Sequence, residues 1–533
     1  MIQIFKGLLW ALVLCCAITE VQAQTRVSIK SGEKWYGGAV NDAHMMPFKE
    51  GYSLDMYGET RGNQAVPLLV STLGRFIWSE EPFKFAVDKN SLVISNSAGK
   101  LTIDSAGNNL REAFSNASKR FFPSKNILPD PLLFSQPQYN TWIELTYNQN
   151  QKDILTYARA IIDNGFPPGV IMIDDNWADY YGRFDFRADR FSNATAMVDT
   201  LHSLGFKVML WICPFVSPDT EVGRELLDKK LVLLDNQGNA STTWEKARNP
   251  AIISWWNGYS SVVDFTNPEA MSWFRGRLDY MIQKYHLDGF KFDAGDAEYY
   301  PKNSISFKKV SPNEHSRLWG ELGLSYPLNE YRAMWKMGGE PLVQRLRDKA
   351  HNWADLQKLI PHLTTAGLLG YQFTCPDMIG GGEFGSFIGK SKLDEPLVVR
   401  SALCSALMPM MQFSVAPWRV LSKENLTAVK RSVDIRAKYT PYIMELAKIA
   451  AKTGEPIARS MEYEFPNQGF AEVRGQFMLG QKYLVAPVVT KENEKTVKLP
   501  KGRWKDDKGE IFTGPREIKT LVAIDRLPVY ELL

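Results

Sequence analysis

The chain has 533 residues, 44% of them hydrophobic and 12% aromatic, which is enough for roughly two or three domains with large cores. The net charge is only +4 and no run of Lys or Arg stands out, so the composition argues against a nucleic-acid-binding protein. The 6 His residues are scattered without the spacing of metal ligands, and we therefore expect no metal and no other cofactor.

The N-terminal segment, residues 1–23, has the pattern of a secretory signal peptide. Lys6 precedes an apolar run at 7–18, and a small-x-small cleavage site ends at Ala23. The run is well short of the ~20 residues that cross a bilayer, so a membrane anchor is the weaker interpretation. A lipoprotein signal is a further alternative, although a leucine precedes Cys15 where such signals have a small residue. We predict a secreted or periplasmic protein without a membrane span.

Residues 24–130 are rich in Ser, Thr, Asn and Gly and contain short alternating runs, for example at 91–95 and 100–103. Such runs, separated by turn-forming residues, are typical of antiparallel strands. We predict an N-terminal β-sandwich over this region. Short alternating strands return at 451–533, which predicts a second, smaller β-domain, also a sandwich.

Between residues 131 and 450 the pattern changes to strands that alternate with helices. The predicted strands lie at 139–147, 169–174, 206–212, in the run that ends at Asp293, at 341–347 and at 408–413. The predicted helices lie at 151–164, 194–204, 220–230, 267–285 and 425–451. This alternation is typical of parallel strands wrapped by helices, and the length suits a (β/α)8 TIM barrel with insertions. The predicted fold class is α/β, with the barrel flanked by two β-domains.

Acidic residues follow two of the predicted strands. Asp174 and Asp175 end one apolar run, and Asp293 ends another, where Ala294 and Gly295 leave open space beside it. The C-terminal ends of TIM-barrel strands meet at one mouth, so these acids should share a site. The alternatives are a strand-end Asp that caps the next helix and a salt-bridged acid pair at the barrel rim.

The chain resembles glycoside hydrolase family 31 over most of its length. Residues 291–296, Lys-Phe-Asp-Ala-Gly-Asp, resemble the family's nucleophile strand in its Lys-x-Asp-x-Gly-acid form. The similarity continues at 436–442, 454–457, 476–480, 484–488 and 499–504. The resemblance implies a glycosidase that retains anomeric configuration, with Asp293 as its nucleophile.

The family's general acid/base is identified by spacing, because its usual Trp-x-Gly-Asp-Asn string is absent. Asp348 has Trp353, Leu356 and a later Gly-aromatic pair at the family's intervals, whereas the competing Asp355 has none of them. An exposed acid paired with a neighbouring base is the alternative interpretation of Asp348. A retaining mechanism needs the two carboxyl groups ~5–5.5 Å apart. It also needs a raised pKa for Asp348, which we expect from burial and from the charge of Asp293.

The resemblance also implies residues that bind the sugar. Asp174 matches an acid that hydrogen-bonds a sugar hydroxyl, and Asp377 matches the acid of an Asp-x-Gly-Gly loop near the sugar. Asp175 stands where an apolar residue is common. Lys291 and Arg345 are expected to balance the acids and to bind hydroxyls. The candidate stacking platforms are Trp142, Trp177 and Tyr36, with core packing as the alternative for each Trp.

Several departures from the family pattern bear on the substrate. Val263 replaces a Trp of many α-glucosidases, and 411–414 lacks the family's His after the last strand. The segments 35–38, 173–175, 345–348 and 411–414 resemble the α-galactosidase branch that includes myogenesis-regulating glycosidase. The resemblance implies exo-acting hydrolysis of terminal α-galactosides in an oligosaccharide or other glycoside, through a covalent glycosyl-enzyme. The alternatives are an α-glucosidase or α-xylosidase of the same family, and a carbohydrate-binding barrel without activity. The oligomeric state is left open.

Overall fold

The computed structural model describes residues 24–95, 97, 99–389 and 392–533. The predicted signal peptide, residues 1–23, lies outside the described residues. Within the described ranges, no helix combines the length and the apolar character needed to cross a membrane.

The central domain is a barrel of parallel strands that follow one another in chain order. The strands are Gln138–Asn140, Val170–Ile173, Lys207–Ile212, Gly289–Phe292, Leu328–Tyr331, Gln344–Arg345, Thr374–Cys375 and Gln412–Phe413. The last strand pairs with the first, and a parallel bridge between Met378 and Gln412 nearly closes the remaining gap. The predicted TIM barrel is therefore confirmed.

Helices cover the outside of the barrel between these strands. The longer ones are Gln151–Asp163, Ala194–Ser203, Glu221–Asp228, Pro268–Tyr285, Pro312–Leu322, Leu359–Leu368, Glu395–Ala406 and Lys423–Thr453. Seven of them begin after an Asn, Asp, Ser or Thr whose side chain accepts a hydrogen bond from a first-turn backbone N–H. The last helix ends at Gly454, whose left-handed φ of 75° stops the helix before the C-terminal domain.

Several elements of the barrel differ from the sequence prediction. The strand predicted at 139–147 ends at Asn140, because the Asn140 side chain accepts a hydrogen bond from the Trp142 backbone N–H and a short helix, Trp142–Leu145, follows. The strands Leu328–Tyr331 and Thr374–Cys375 were not predicted, and neither were the helices Pro312–Leu322, Leu359–Leu368 and Glu395–Ala406. In Leu328–Tyr331, buried polar residues interrupt any apolar run.

In its described residues, the N-terminal domain contains two sheets, the α-helix Leu110–Phe121 and the short 3-10 helix Val40–Met45. The strand pattern predicted neither helix. One sheet is formed by Thr25–Ser28, Ser91–Ser95, Lys84–Asp88 and Ser53–Asp55. The other is formed by Trp35–Ala39, Gln64–Ser71, Arg75–Ser79, Leu101–Ser105 and the barrel-domain strand Met334–Trp335. That last strand runs parallel to Gln64–Ser71, so the N-terminal sheet continues directly into the barrel domain.

The C-terminal domain forms one six-stranded sheet in the described residues, where the sequence predicted a sandwich. Its strands are Ala458–Arg459, Phe477–Leu479, Tyr483–Val485, Val529–Leu532, Glu494–Asp506 and Ile511–Leu521. All their pairings are antiparallel. A separate apolar cluster that includes Met478, Leu484 and Trp504 forms the core of this domain.

A hairpin inserted in the barrel domain reaches the C-terminal ends of the barrel strands. It consists of Ile252–Trp255 and Gly258–Val262, and the second strand also pairs with Phe215–Val216. Its turn carries Trp256 and Asn257, and both of these residues take part in the site described next.

Candidate active site

A cavity of about 540 Å³ lies at the C-terminal ends of the barrel strands. This volume is within the range of small-molecule sites, roughly 300–1,000 Å³. The predicted site residues that line the cavity are Trp142, Asp174, Asp175, Lys291, Asp293, Arg345 and Asp348. They come from the C-terminal ends of four different strands, which meet at one mouth because the strands of the barrel are parallel.

Asp293 follows the strand Gly289–Phe292 and is held in its ionised form. Its Oδ2 accepts a hydrogen bond of 2.7 Å from Trp211 Nε1, and Lys291 Nζ lies 3.6 Å from the same oxygen. Arg332 Nε lies 3.9 Å from Oδ1. Burial alone would raise the pKa of Asp293, but Lys291, Arg332, Arg345 and the Trp211 N–H outweigh it and lower the pKa to about 2.

Gly295 does not leave the open space that the sequence suggested. A Cβ atom there would lie 2.1 Å from Cδ1 of the buried Trp319, and the backbone has a left-handed φ of 75°. Both facts require glycine at this position. The small residue therefore allows Trp319 to pack behind Asp293 and fixes the backbone that carries the carboxylate.

Asp348 lies in the loop after Gln344–Arg345 and forms an ion pair with Arg345. The distance between Arg345 Nη1 and Asp348 Oδ1 is 2.5 Å, and a third of the Asp348 side chain is exposed. Burial would raise its pKa, as would the charge of Asp293, but Arg345 and Arg332 outweigh both and lower it. The expectation of a raised pKa for Asp348 is therefore wrong.

Asp377 lies behind Arg345 and does not line the cavity. Arg345 Nη1 donates to its Oδ1 at 3.1 Å, and the backbone N–H groups of Lys349 and Gly382 donate to its Oδ2. Burial and the charge of Asp348 raise the pKa of Asp377 to about 7. Its contacts are those of a residue that holds Arg345 and the loop containing Gly382, whereas the sequence predicted a contact with the sugar.

Asp174 and Asp175 both line the cavity but have different partners. Asp174 Oδ2 accepts a hydrogen bond of 2.6 Å from Lys291 Nζ. Both oxygens of Asp175 accept from the Tyr181 hydroxyl, and Asn257 Nδ2 donates to Oδ2 at 2.5 Å. Burial and the charge of Asp174 raise the pKa of Asp175 to about 7. Asp175 thus ties the hairpin turn to the loop that follows Val170–Ile173.

The three predicted stacking platforms lie in three different places. Trp142 lines the cavity, and its Nε1 donates to the Gly382 carbonyl at 3.1 Å. Trp177 faces an adjoining smaller cavity of about 100 Å³, and its Nε1 donates to the Trp211 carbonyl. Tyr36 lies at the boundary with the C-terminal domain, where its hydroxyl donates to the Ala471 carbonyl. Its ring is therefore not available to a sugar in the main cavity.

Sequence reasoning missed eight residues that line the cavity, namely Tyr147, Trp211, Trp256, Arg332, Arg347, Met378, Glu383 and Phe384. Arg332 directly follows the unpredicted strand Leu328–Tyr331, and its guanidinium lies 4.7 Å from the centre of the Trp256 ring. Trp211 lies in a predicted strand. The alternation of side chains along that strand could have identified Trp211 as a residue that faces the inside of the barrel. Val263, in contrast, is fully buried in the barrel core and does not line the cavity.

Comparison with known proteins identifies the family. The model of the glycosyl hydrolases family 31 TIM-barrel domain matches residues 133–446, and that of the family 31 C-terminal domain matches residues 454–531. The chain belongs to glycosyl hydrolase family 31. The family predicted from the sequence motifs is thus confirmed.

Individual relatives in the family have different named activities. Myogenesis-regulating glycosidase of Mus musculus is 33% identical over 77% of this chain and 57% of its own length. An alpha-xylosidase of Emericella nidulans is 25% identical over 94% of this chain and 66% of its own length. Among solved structures, the Flavobacterium johnsoniae family 31 dextranase superposes with a TM-score of 0.83 at 20% identity, covering 96% of this chain and 66% of the dextranase. The chain thus spans about 57–66% of the length of these proteins.

Proposed function

We propose that this chain is a retaining α-glycosidase that releases terminal α-linked galactose, with Asp293 as nucleophile and Asp348 as general acid/base. The observation that supports the proposal best is that both carboxyl groups line one cavity and share the neighbouring guanidinium groups of Arg332 and Arg345. A nucleophile must be ionised at working pH, and the low pKa of Asp293 meets that requirement.

In the first step Asp293 attacks the anomeric carbon while Asp348 gives its proton to the leaving oxygen. The bond to the leaving group breaks, and a covalent galactosyl-enzyme forms. In the second step Asp348 removes a proton from water, which attacks the same carbon and releases Asp293 as a carboxylate. Configuration is retained because the carbon is inverted twice.

The ion pair of Asp348 is compatible with both steps. The ion pair with Arg345 favours the ionised carboxylate, which is the form that acts as base in the second step. For the first step Asp348 must take a proton and release Arg345. Arg345 would stay paired after that release, since Asp377 and Glu330 lie 3.1 and 3.4 Å from its guanidinium. Arg345 can therefore exchange Asp348 for a sugar hydroxyl without becoming a buried, isolated charge.

The choice of galactose is supported by the similarity to myogenesis-regulating glycosidase and by two adjacent acids at the cavity wall. Asp174 keeps acceptor capacity for a sugar hydroxyl beside its contact with Lys291. We assign the axial O4 of galactose to this acid pair. The Val263 position does not contribute to this argument, because its side chain is in the core.

Hydrolysis rates on four nitrophenyl α-glycosides test the proposal: those of galactose, glucose, xylose and N-acetylgalactosamine. We expect the highest kcat/KM for the α-galactoside. Faster hydrolysis of the α-glucoside or the α-xyloside would contradict the galactose assignment and leave the glycosidase assignment intact. No turnover of any of the four would favour a carbohydrate-binding barrel without activity.

Three alanine variants test the catalytic assignment. Asp293→Ala and Asp348→Ala should each reduce turnover to a trace. Asp355→Ala is the matched control, because this acid lies seven residues after Asp348 but pairs with Lys358 and the Ala350 N–H. Turnover that survives Asp348→Ala and is lost in Asp355→Ala would overturn the assignment of the acid/base.

A further inference from the structure

The barrel is weakly paired between the strand that precedes Arg332 and the strand that ends at Arg345. In the described part of the chain, Leu328–Tyr331 and Gln344–Arg345 share a single register pair, Tyr331 with Gln344. Arg332 and Arg345 are the next residues along the chain on the two sides, and no ladder pair joins them in the described residues. We call the place where their carbonyl groups lie the seam.

Two amide side chains from the N-terminal domain occupy the seam. Asn63 Nδ2 donates to the Arg332 carbonyl at 2.8 Å and to the Arg345 carbonyl at 3.0 Å. Gln64 Nε2 donates to the same two carbonyls at 2.9 and 3.3 Å. Four hydrogen bonds from another domain thus replace the ladder that the two strands lack.

These amides act at the seam through their donor groups. Asn63 and Gln64 are fully buried, and among the described residues their side-chain oxygens have no hydrogen-bond partner. A buried polar atom without a partner is costly. The arrangement is therefore maintained by the four bonds to the carbonyls.

The backbone next to these amides also contacts the site. Arg347, which lines the cavity, donates through Nη1 to the Arg61 carbonyl at 3.3 Å. The next residue, Gly62, donates its N–H to Glu298 at 2.9 Å. Gln64 itself and the next residue, Ala65, pair with Met334 and Trp335 in the sheet. The whole turn is thus fixed against the rim of the barrel on the side of Asp348.

We propose that Asn63 and Gln64 are positioning residues for the proposed reaction: they brace the seam and so place the guanidinium groups of Arg332 and Arg345 against Asp293 and Asp348. The proposal rests on the proposed function for its kinetic consequences. The N-terminal domain then contributes to the geometry of the active site, although neither amide lines the cavity.

Each carbonyl receives one bond from each amide, so either amide alone retains a brace. Asn63→Ala and Gln64→Ala should therefore have small separate effects, a few-fold in kcat/KM. The double variant should lose more than the product of the two, up to about 100-fold, because misplacement of a group by about 1 Å has that effect. A looser contact with Arg345 should also raise the pKa of Asp348 and move the basic limb of the pH profile to higher pH.

Asn313→Ala is the matched control for loss of a buried amide at the same domain boundary. Asn313 is fully buried, donates to the Met56 carbonyl at 2.8 Å and accepts from the Gly58 N–H at 2.7 Å. It touches neither arginine carbonyl. We expect a lower Tm and an unmoved pH profile in this variant. If the double variant matches Asn313→Ala in kcat/KM and in its basic limb, the positioning role is refuted.

A second measurement does not depend on turnover. The full-length chain and its variants are treated with a carbodiimide and an amine over a pH series, and labelling of Asp348 is followed by peptide mass spectrometry. Carbodiimides react with the protonated carboxyl, so labelling of Asp348 should extend to higher pH in the double variant. Unchanged labelling would overturn the inference. If the wild-type protein is inactive and labelling of Asp348 still shifts in the double variant, the proposed function is refuted and the bracing role of Asn63 and Gln64 is supported.

Discussion

Arg345 Nη1 lies 2.5 Å from Asp348 Oδ1, so the proposed general acid is ion-paired. The same guanidinium also contacts Asp377, and Glu330 lies 3.4 Å from its Nε. Three carboxyl groups therefore compete for one cation. The protonation state of Asp348 depends on which of them Arg345 contacts.

This relationship predicts an acidic pH optimum. Asp348 must be protonated in the first step, and Arg345 lowers its pKa, so kcat/KM should fall as the pH rises toward neutrality. In Arg345→Gln the loss of the positive charge raises the pKa of Asp348 and should move the basic limb to higher pH, with a lower maximum. The measurement is kcat/KM for an aryl α-galactoside from pH 3 to pH 9. If the basic limb stays in place in Arg345→Gln, this ion pair does not determine the pH dependence of kcat/KM.

Azide should distinguish the roles of the two acids. With a substrate whose leaving group needs no acid, Asp293→Ala should form β-galactosyl azide, because azide attacks the substrate directly and inverts the carbon once. Asp348→Ala should form α-galactosyl azide, because azide attacks the galactosyl-enzyme and the carbon is inverted twice. Product configuration is read by proton NMR. The opposite pattern would exchange the two roles.

Gly295 should not tolerate alanine. The added Cβ would meet Trp319 at 2.1 Å in a left-handed backbone, which predicts a loss of about 2–4 kcal/mol in the free energy of unfolding. Gly238→Ala is the matched control, since Gly238 has a φ of 76° and open space around it. It should lose about 1–2 kcal/mol, the backbone cost alone. Equal losses in denaturant titrations would show that Trp319 moves aside without cost.

Ionised Asp293 should contribute to stability. Its pKa in the folded chain is about 2, below the usual value of about 3.9, which corresponds to about 2–3 kcal/mol. Because the pKa is lowered, the contribution is present above pH 4 and is lost as the pH falls toward 2. The difference in unfolding free energy between wild type and Asp293→Asn should shrink over that interval. A difference independent of pH would contradict the low pKa.

The sequence located a functional residue where that residue is also marked by a local pattern. Asp293 was found because an apolar strand leads to it, and Asp348 because its spacing matches the family. Leu328–Tyr331 was missed because its side chains at Asn329 and Glu330 are polar and fully buried. An inward-facing polar residue in a barrel strand looks like a loop residue until its partners are known.

Contacts between distant segments could not be predicted. Asn63 and Gln64 are more than 260 residues from the arginine carbonyls that they bind. The pKa of Asp348 was predicted in the wrong direction because Arg345, although expected to balance the acids, was not expected to outweigh burial and Asp293, and because Arg332 was missed. Tyr36 was chosen from a short motif, and its position depends on how the C-terminal domain packs.

The amides at the seam have a consequence for dividing or recombining this gene. A fragment that starts at residue 131 would contain both proposed catalytic acids, yet it would expose the Arg332 and Arg345 carbonyls to water. Chimeras that exchange the N-terminal domain should keep Asn63 and Gln64 together with the barrel that they contact. A transferable unit must therefore include the N-terminal sheet together with the barrel.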